Sequence, residues 1–147
     1  MSEKNIQKII TRANSLIGKP YKYGATLEEA PNYFDCASFI RFLFKQINIE
    51  LGYTGIQQAS DKKGIEIIPN SNFSNLERGD LIFTRGRKGR YDDDLFEGRK
   101  IYIGHVALYI GNHEIIHARR RFGGIIKQSL NDILLDPDLS ITIIKRF

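Results

Sequence analysis

Cys36 is the only cysteine in the chain, which excludes an internal disulfide and a cluster of thiolate metal ligands. No apolar run approaches the ~18 to 20 residues that a membrane-spanning helix requires. The opening MSEKNIQKII alternates charge with isoleucine and lacks the apolar core of a secretion signal. The expectation is therefore a soluble protein, cytoplasmic as encoded. A phage origin, trimming of a longer chain and a non-standard export route are the alternatives. Internal repeats and low-complexity tracts are also missing. The acidic cluster Asp92, Asp93, Asp94 and Glu97 lacks the spacing of an EF-hand loop and reads as solvated charge. No metal or organic cofactor is expected.

What the chain does have is enough apolar material for one core: 147 residues, of which 41% are hydrophobic. A single domain over residues 1–147, acting as a monomer, is expected. The formal charge of +5 and the sequence pI near 9.3 attract polyanions such as nucleic acid, an anionic membrane or an anionic cell wall. Aromatic and basic residues are not interleaved as in an RNA-binding sheet, and no helix is regularly basic, so no specific nucleic-acid partner is expected.

Ile6, Ile9, Ile10, Ala13, Leu16 and Ile17 recur every three or four residues and predict a first helix, stopped by Gly18 and Pro20. Breakers between Tyr21 and Asp35 predict a loop. Phe39, Ile40, Leu43, Phe44 and Ile47 then mark a second, buried helix over Cys36 to Asn48, with Cys36 at its start. Strands are predicted at Asp80 to Thr84, Ile101 to Ile110, His113 to Ala118 and Ser140 to Arg146. Ile65 to Ile68 suggests a shorter strand, and Ser129 to Leu135 a short helix. Helices first and strands second predict an α+β fold, with amino-terminal helices packed on an antiparallel sheet.

The chemistry centres on three residues. A thiol is a strong nucleophile only as its thiolate, and a helix start supplies free amides and a positive dipole end that favour that anion. Cys36 occupies such a place, although a lone cysteine is more often a small buried apolar residue. His105 and His117 lie inside neighbouring predicted strands, where each ring nitrogen needs a partner away from water. The rings can partner each other, His105 as base for Cys36 and His117 orienting it. The bland alternative is a satisfied structural pair. A two-residue turn at Gly111 and Asn112 puts the rings on opposite faces, so the mechanism requires an odd-numbered turn or a bulge. The expectation is a three-residue turn, Ile110, Gly111 and Asn112, which sets Tyr109 opposite His113 and His105 opposite His117. His113 is expected to be an exposed loop residue. Asp35, just before the helix, reads as its cap.

The segments KPYKYGA, FDCASFIRFLF, RGDLIFT, IGHVALYIGN and EIIHA resemble, in order, the successive motifs of the NlpC-type cysteine peptidases, papain-like hydrolases of bacterial cell-wall peptides. The likeness runs from Gly18 to about Ala118. It implies a papain-like fold with Cys36 as nucleophile, His105 as base and His117 as the third polar residue. Tyr23 resembles a family tyrosine whose hydroxyl lines the site and assists the oxyanion. The implied substrate is a peptidoglycan stem peptide, cut between D-glutamate and the diamino acid.

The chain departs from the family in two places. Ala37 and Ser38 stand where serine and glycine usually follow the cysteine. The connection RGRKGRYDDDLFEGRK before His105 is unusually long and is expected to border the cleft and influence substrate choice. Rival readings are a thiol amidase, an acyltransferase or a toxin-like effector on another peptide. A non-catalytic cell-wall or phage-structure module of the same fold is a further rival.

Overall fold

The computed structural model describes residues 1–87 and 89–147, apart from the side chain of Asp93. Lys88 and the Asp93 carboxylate, both part of the charged connection, lie outside the described residues. Among the described residues, four α-helices, α1 (Glu3–Ser15), α2 (Cys36–Lys45), α3 (Gly55–Ala59) and α4 (Leu130–Leu134), accompany six strands. The strands are β1 (Ile65–Glu66), β2 (Leu81–Thr84), β3 (His105–Gly111), β4 (Glu114–Arg119), β5 (Gly124–Ser129) and β6 (Ile141–Arg146). They form one sheet in the order β1-β6-β2-β3-β4-β5, with every neighbouring pair antiparallel. This is the α+β architecture expected from the order of elements.

Alternation along the strands sorts the sheet into two apolar faces. Leu81, Phe83, Val106, Leu108 and Ile116 point to one, where they share a core with Ile9 and Ala13 of α1 and Phe39, Leu43 and Phe44 of α2. Ile82, Ala107, Tyr109, Ile115 and Ile144 point to the other, where Leu130 and Ile133 of α4 close over them. Each large apolar side chain fully buried contributes about 1.5 to 3 kcal/mol. With both faces covered, β2 is buried at all four positions, which is why its sequence LIFT shows no alternation.

Local chemistry sets the helix ends. The Ser2 hydroxyl accepts from the Asn5 amide at 3.1 Å and starts α1. The apolar repeat predicts helix as far as Ile17, but α1 ends at Ser15. Gly18 adopts φ +94° and donates its amide to the Ile125 carbonyl at 2.9 Å, turning the chain onto β5. The second helix likewise stops short of its expected end, at Lys45, with Asn48 in the left-handed region at φ +62°.

The expected three-residue turn between β3 and β4 is corrected. Tyr109 lies opposite Ile115 rather than His113, and Gly111 lies opposite Glu114, with the register shifting in between. Ile110 is thus a bulge, and the turn itself is the two residues Asn112 and His113, at φ +52° and +60°. Carrying the register down β3 sets His117 opposite Ala107, two residues along from His105 and on the same face. The rings meet as a diagonal pair rather than as the directly opposed pair expected. His113 is also corrected: it is half-buried, its amide donating to the Tyr109 hydroxyl at 3.2 Å and its carbonyl accepting from Leu130 at 2.7 Å.

The long connection after β2 is only partly a rim of the cleft. Its far half folds inward: Phe96, Ile101 and Ile103 are buried in the helix-side core, and Arg99 forms a two-pronged ion pair with Glu66 at 2.7 and 2.9 Å. Among the described residues, no group of three or more histidine, cysteine, aspartate or glutamate side chains is arranged to hold a metal ion, and no helix is long and apolar enough to cross a membrane.

Candidate active site

Asp35 caps α2 and so fixes where Cys36 stands. Its Oδ1 accepts from the Ser38 amide at 2.7 Å, and the Ser38 hydroxyl accepts from the Asp35 amide at 2.9 Å, a reciprocal capping box. Ser38 therefore keeps a hydroxyl role at the departure from the family pattern. The other carboxylate oxygen accepts from Gly24 at 3.2 Å, tying the preceding loop to the helix start. Cys36, half-buried, is the first residue of the helix. Burial and the neighbouring Asp35 charge push its thiol up to about 12, against the amides of Val106, Ala37 and Cys36 itself, which favour the thiolate.

His105 is the first residue of β3, and its place depends on the glycine before it. A Cβ on Gly104 would lie 1.7 Å from the Arg85 carbonyl oxygen; only glycine lets the strand entry pass so close to the chain leaving β2. Gly104 also donates its amide to the Thr84 carbonyl at 2.9 Å. With the entry fixed, His105 Nε2 lies 2.8 Å from His117 Nδ1, and the rings meet edge to face at 70°. Both rings are buried. Burial, then the charge of the other ring and of Arg119, holds His105 well below the usual histidine range. Burial lowers His117 to about 4, opposed by its hydrogen bond to Gln128 and aided by Arg119. At neutral pH the site rests as a neutral thiol beside two neutral imidazoles.

A cleft of about 770 Å³ opens at this end of the sheet, lined by Cys36, His105, Tyr21 and Tyr23 together with Gly86 and four arginines. Tyr23, singled out by resemblance, is on this wall but 77% exposed. Tyr21, two residues earlier, is half-buried and nearer in effect to the sulfur: its phenol is held above its usual range by burial and then by the negative potential of Cys36 and Asp35. Its bridge to Phe34 ties it to the residue before the cap; KPYKYGA offers Tyr21 and Tyr23 alike, and no sequence signal separates them.

The four arginines of this lining differ in their partners. Arg119 pairs with Asp136 at 3.3 Å and Arg87 with Asp138 at 2.8 Å. Arg120 and Arg121 face no carboxylate within ion-pair range among the described residues. Arg121 instead lies over the Phe122 ring, 5.7 Å from its centre. The sequence shows these arginines as the run RRR after EIIHA, but not that they turn into the cleft.

Residues 18–139 match the model of the NlpC/P60 family. The chain belongs to that family. It is 31% identical over 111 residues to peptidoglycan DL-endopeptidase CwlO of Bacillus licheniformis, a match that covers 73% of this chain and 21% of that protein. It is 28% identical over 134 residues to the probable peptidoglycan endopeptidase LytE of Bacillus subtilis, covering 90% of this chain and 32% of that protein. The chain thus spans about a fifth to a third of these curated relatives. Among solved structures, the NlpC/p60 domain of the peptidoglycan hydrolase SagA matches with a TM-score of 0.68 at 22% identity, covering 97% of this chain and 98% of that one. NlpC2 of Trichomonas vaginalis matches with a TM-score of 0.73 at 19% identity, over 100% of this chain and 48% of that one. These likenesses establish the NlpC/P60 fold.

Proposed function

We propose that this NlpC/P60 chain is a cysteine peptidase that hydrolyses an amide bond in peptidoglycan stem peptides, with Cys36 as nucleophile, His105 as base and His117 orienting it. One observation carries the reading. Cys36 at a helix start and His105 share a single cleft, and His105 spends its Nε2 on His117 at 2.8 Å, which leaves Nδ1 for the thiol.

The chemistry follows from the neutral resting state. His105 Nδ1 takes the thiol proton as Cys36 attacks the carbonyl, so the buried site never holds a free thiolate before substrate arrives. The oxyanion is received by the Cys36 amide and a tyrosine hydroxyl of the cleft wall. Tyr21, responsive to the charge on Cys36, is better placed for this than the exposed Tyr23. The imidazolium then gives its proton to the departing amine, and water, activated by the same nitrogen, hydrolyses the thioester. The relatives named as peptidoglycan endopeptidases support this substrate class. Arg120 and Arg121, which face no carboxylate among the described residues, support a substrate with free carboxylates beside the scissile bond. A bond between D-glutamate and the diamino acid has that character, since glutamate keeps a second carboxylate outside the amide.

The test is to incubate the protein, Cys36→Ala and His105→Ala with purified stem peptides and identify products by mass. New amine and carboxylate ends are expected from the unmodified protein alone. Replacing Arg120 and Arg121 by glutamine is expected to raise KM for acidic peptides with little change in kcat. Cleavage by Cys36→Ala would refute the mechanism, and no cleavage of any stem peptide by the unmodified protein would refute the substrate.

A further inference from the structure

We propose that Gln128 is the positioning residue that sets which nitrogen of His105 is free to act as base. The inference rests on the Cys36–His105 reading above and adds a fourth member to it. Gln128 lies on β5, the edge strand next to β4, where Ile126 stands directly opposite His117 and Gln128 opposite Ile115. It is thus the diagonal neighbour of His117 on the same face, and its Oε1 lies 2.7 Å from His117 Nε2.

An amide oxygen can only accept a hydrogen bond, so it requires the hydrogen on His117 Nε2. A neutral imidazole carries one such hydrogen, and His117 Nδ1 is therefore bare. At 2.8 Å it accepts from His105 Nε2. His105, also neutral, then has its hydrogen on Nε2 and a lone pair on Nδ1. Reversing the chain puts a hydrogen on His105 Nδ1, and a ring in that state cannot accept the thiol proton. Two rings alone do not choose between these arrangements, because each is both donor and acceptor. The amide at the end of the row chooses because it presents its Oε1, and not its NH2, to His117. Being uncharged, it does so without drawing a proton onto the pair, as a carboxylate would. The charged group that bears on both rings is Arg119, itself paired with Asp136 at 3.3 Å, and it too disfavours protonation.

The test uses nitrogen-15 NMR of the histidine rings in the resting protein, together with steady-state kinetics, for the unmodified chain, Gln128→Leu and Gln128→Glu. The unmodified protein is expected to show His105 with Nε2 protonated and Nδ1 bare. Gln128→Leu is expected to show a mixture of tautomers, with kcat lower by roughly 10- to 100-fold and KM within about twofold. Gln128→Glu restores an acceptor, so the single tautomer and most of kcat should return. The acid limb of its kcat/KM profile should move to higher pH, because a carboxylate favours the imidazolium. If Gln128→Leu fails to fold, the glutamate variant still decides: an unmoved acid limb overturns the proposal. A single wild-type tautomer and wild-type kcat in Gln128→Leu also overturn it. Undiminished turnover in His105→Ala overturns the catalytic reading instead, and the ring spectra report on the row of hydrogen bonds without substrate.

Discussion

Acid is expected to destabilise this protein through His117, the ring bonded to His105. His117 has no accessible surface, and burial lowers its pKa from 6.5 to about 4. An unfolded chain keeps the ordinary value. Between the two, the unfolded chain binds a proton that the folded one refuses, so stability rises with pH through this window. The contribution is fully present above pH 6.5 and is lost as pH falls through about 4. A gap of about 2.5 pH units at 1.36 kcal/mol each corresponds to about 3 kcal/mol. His105, lowered by the same burial, acts in the same direction. Urea unfolding at pH 7 and pH 4 measures the effect, and comparison with His117→Asn isolates it from the carboxylates. Asparagine can still accept from His105 but does not titrate. With an m-value of about 2 kcal/mol/M, the acid-induced drop in midpoint should be larger by roughly 1.5 M in the unmodified protein. Equal drops in the two proteins would refute the assignment of a buried, neutral His117.

Asp35→Asn should keep the helix cap, since asparagine caps as well as aspartate, while removing the charge that, after burial, helps hold the Cys36 thiol up. Alkylation by iodoacetamide at pH 8 is expected to be up to about tenfold faster in the variant, and equal rates would contradict the stated cause. Gly104→Ala places a methyl 1.7 Å from the Arg85 carbonyl, and crowding of this kind costs about 1 to 3 kcal/mol. Melting should fall by roughly 3 to 10 °C, and turnover should fall with it because His105 is the next residue. An unchanged melting temperature and turnover would show that the strand entry can yield.

Much of the scaffold was legible because burial leaves a period in the chain. The apolar spacing of Phe39, Ile40, Leu43 and Phe44 located α2, and the isoleucine-rich runs located β3, β4 and β6. The order of five short motifs also brought Cys36, His105 and His117 forward. β5 was missed, since GIIKQS offers only two apolar residues and begins on the second of a glycine pair, with the polar pattern of an edge strand. With it went Gln128, whose role depends on the pairing of β4 with β5, and pairing between strands leaves no local trace. The turn was misjudged for a related reason. A bulge at Ile110 and a three-residue turn change the facing of the rings equally, so the requirement that the rings share a face could not separate them. α3 was not anticipated: five residues are too short for an apolar repeat to show.

The row from Cys36 to Gln128 draws on a helix start and three adjacent strands, and its members are separated by up to 92 positions in the chain. During synthesis Cys36 leaves the ribosome first of the four and Gln128 last. A nascent or half-folded copy therefore exposes an ordinary solvated thiol, without the burial that holds it up in the folded protein. On the reading proposed above, the row is complete only once β5 docks at the edge of the sheet, so the site is finished only after all four of its segments have left the ribosome.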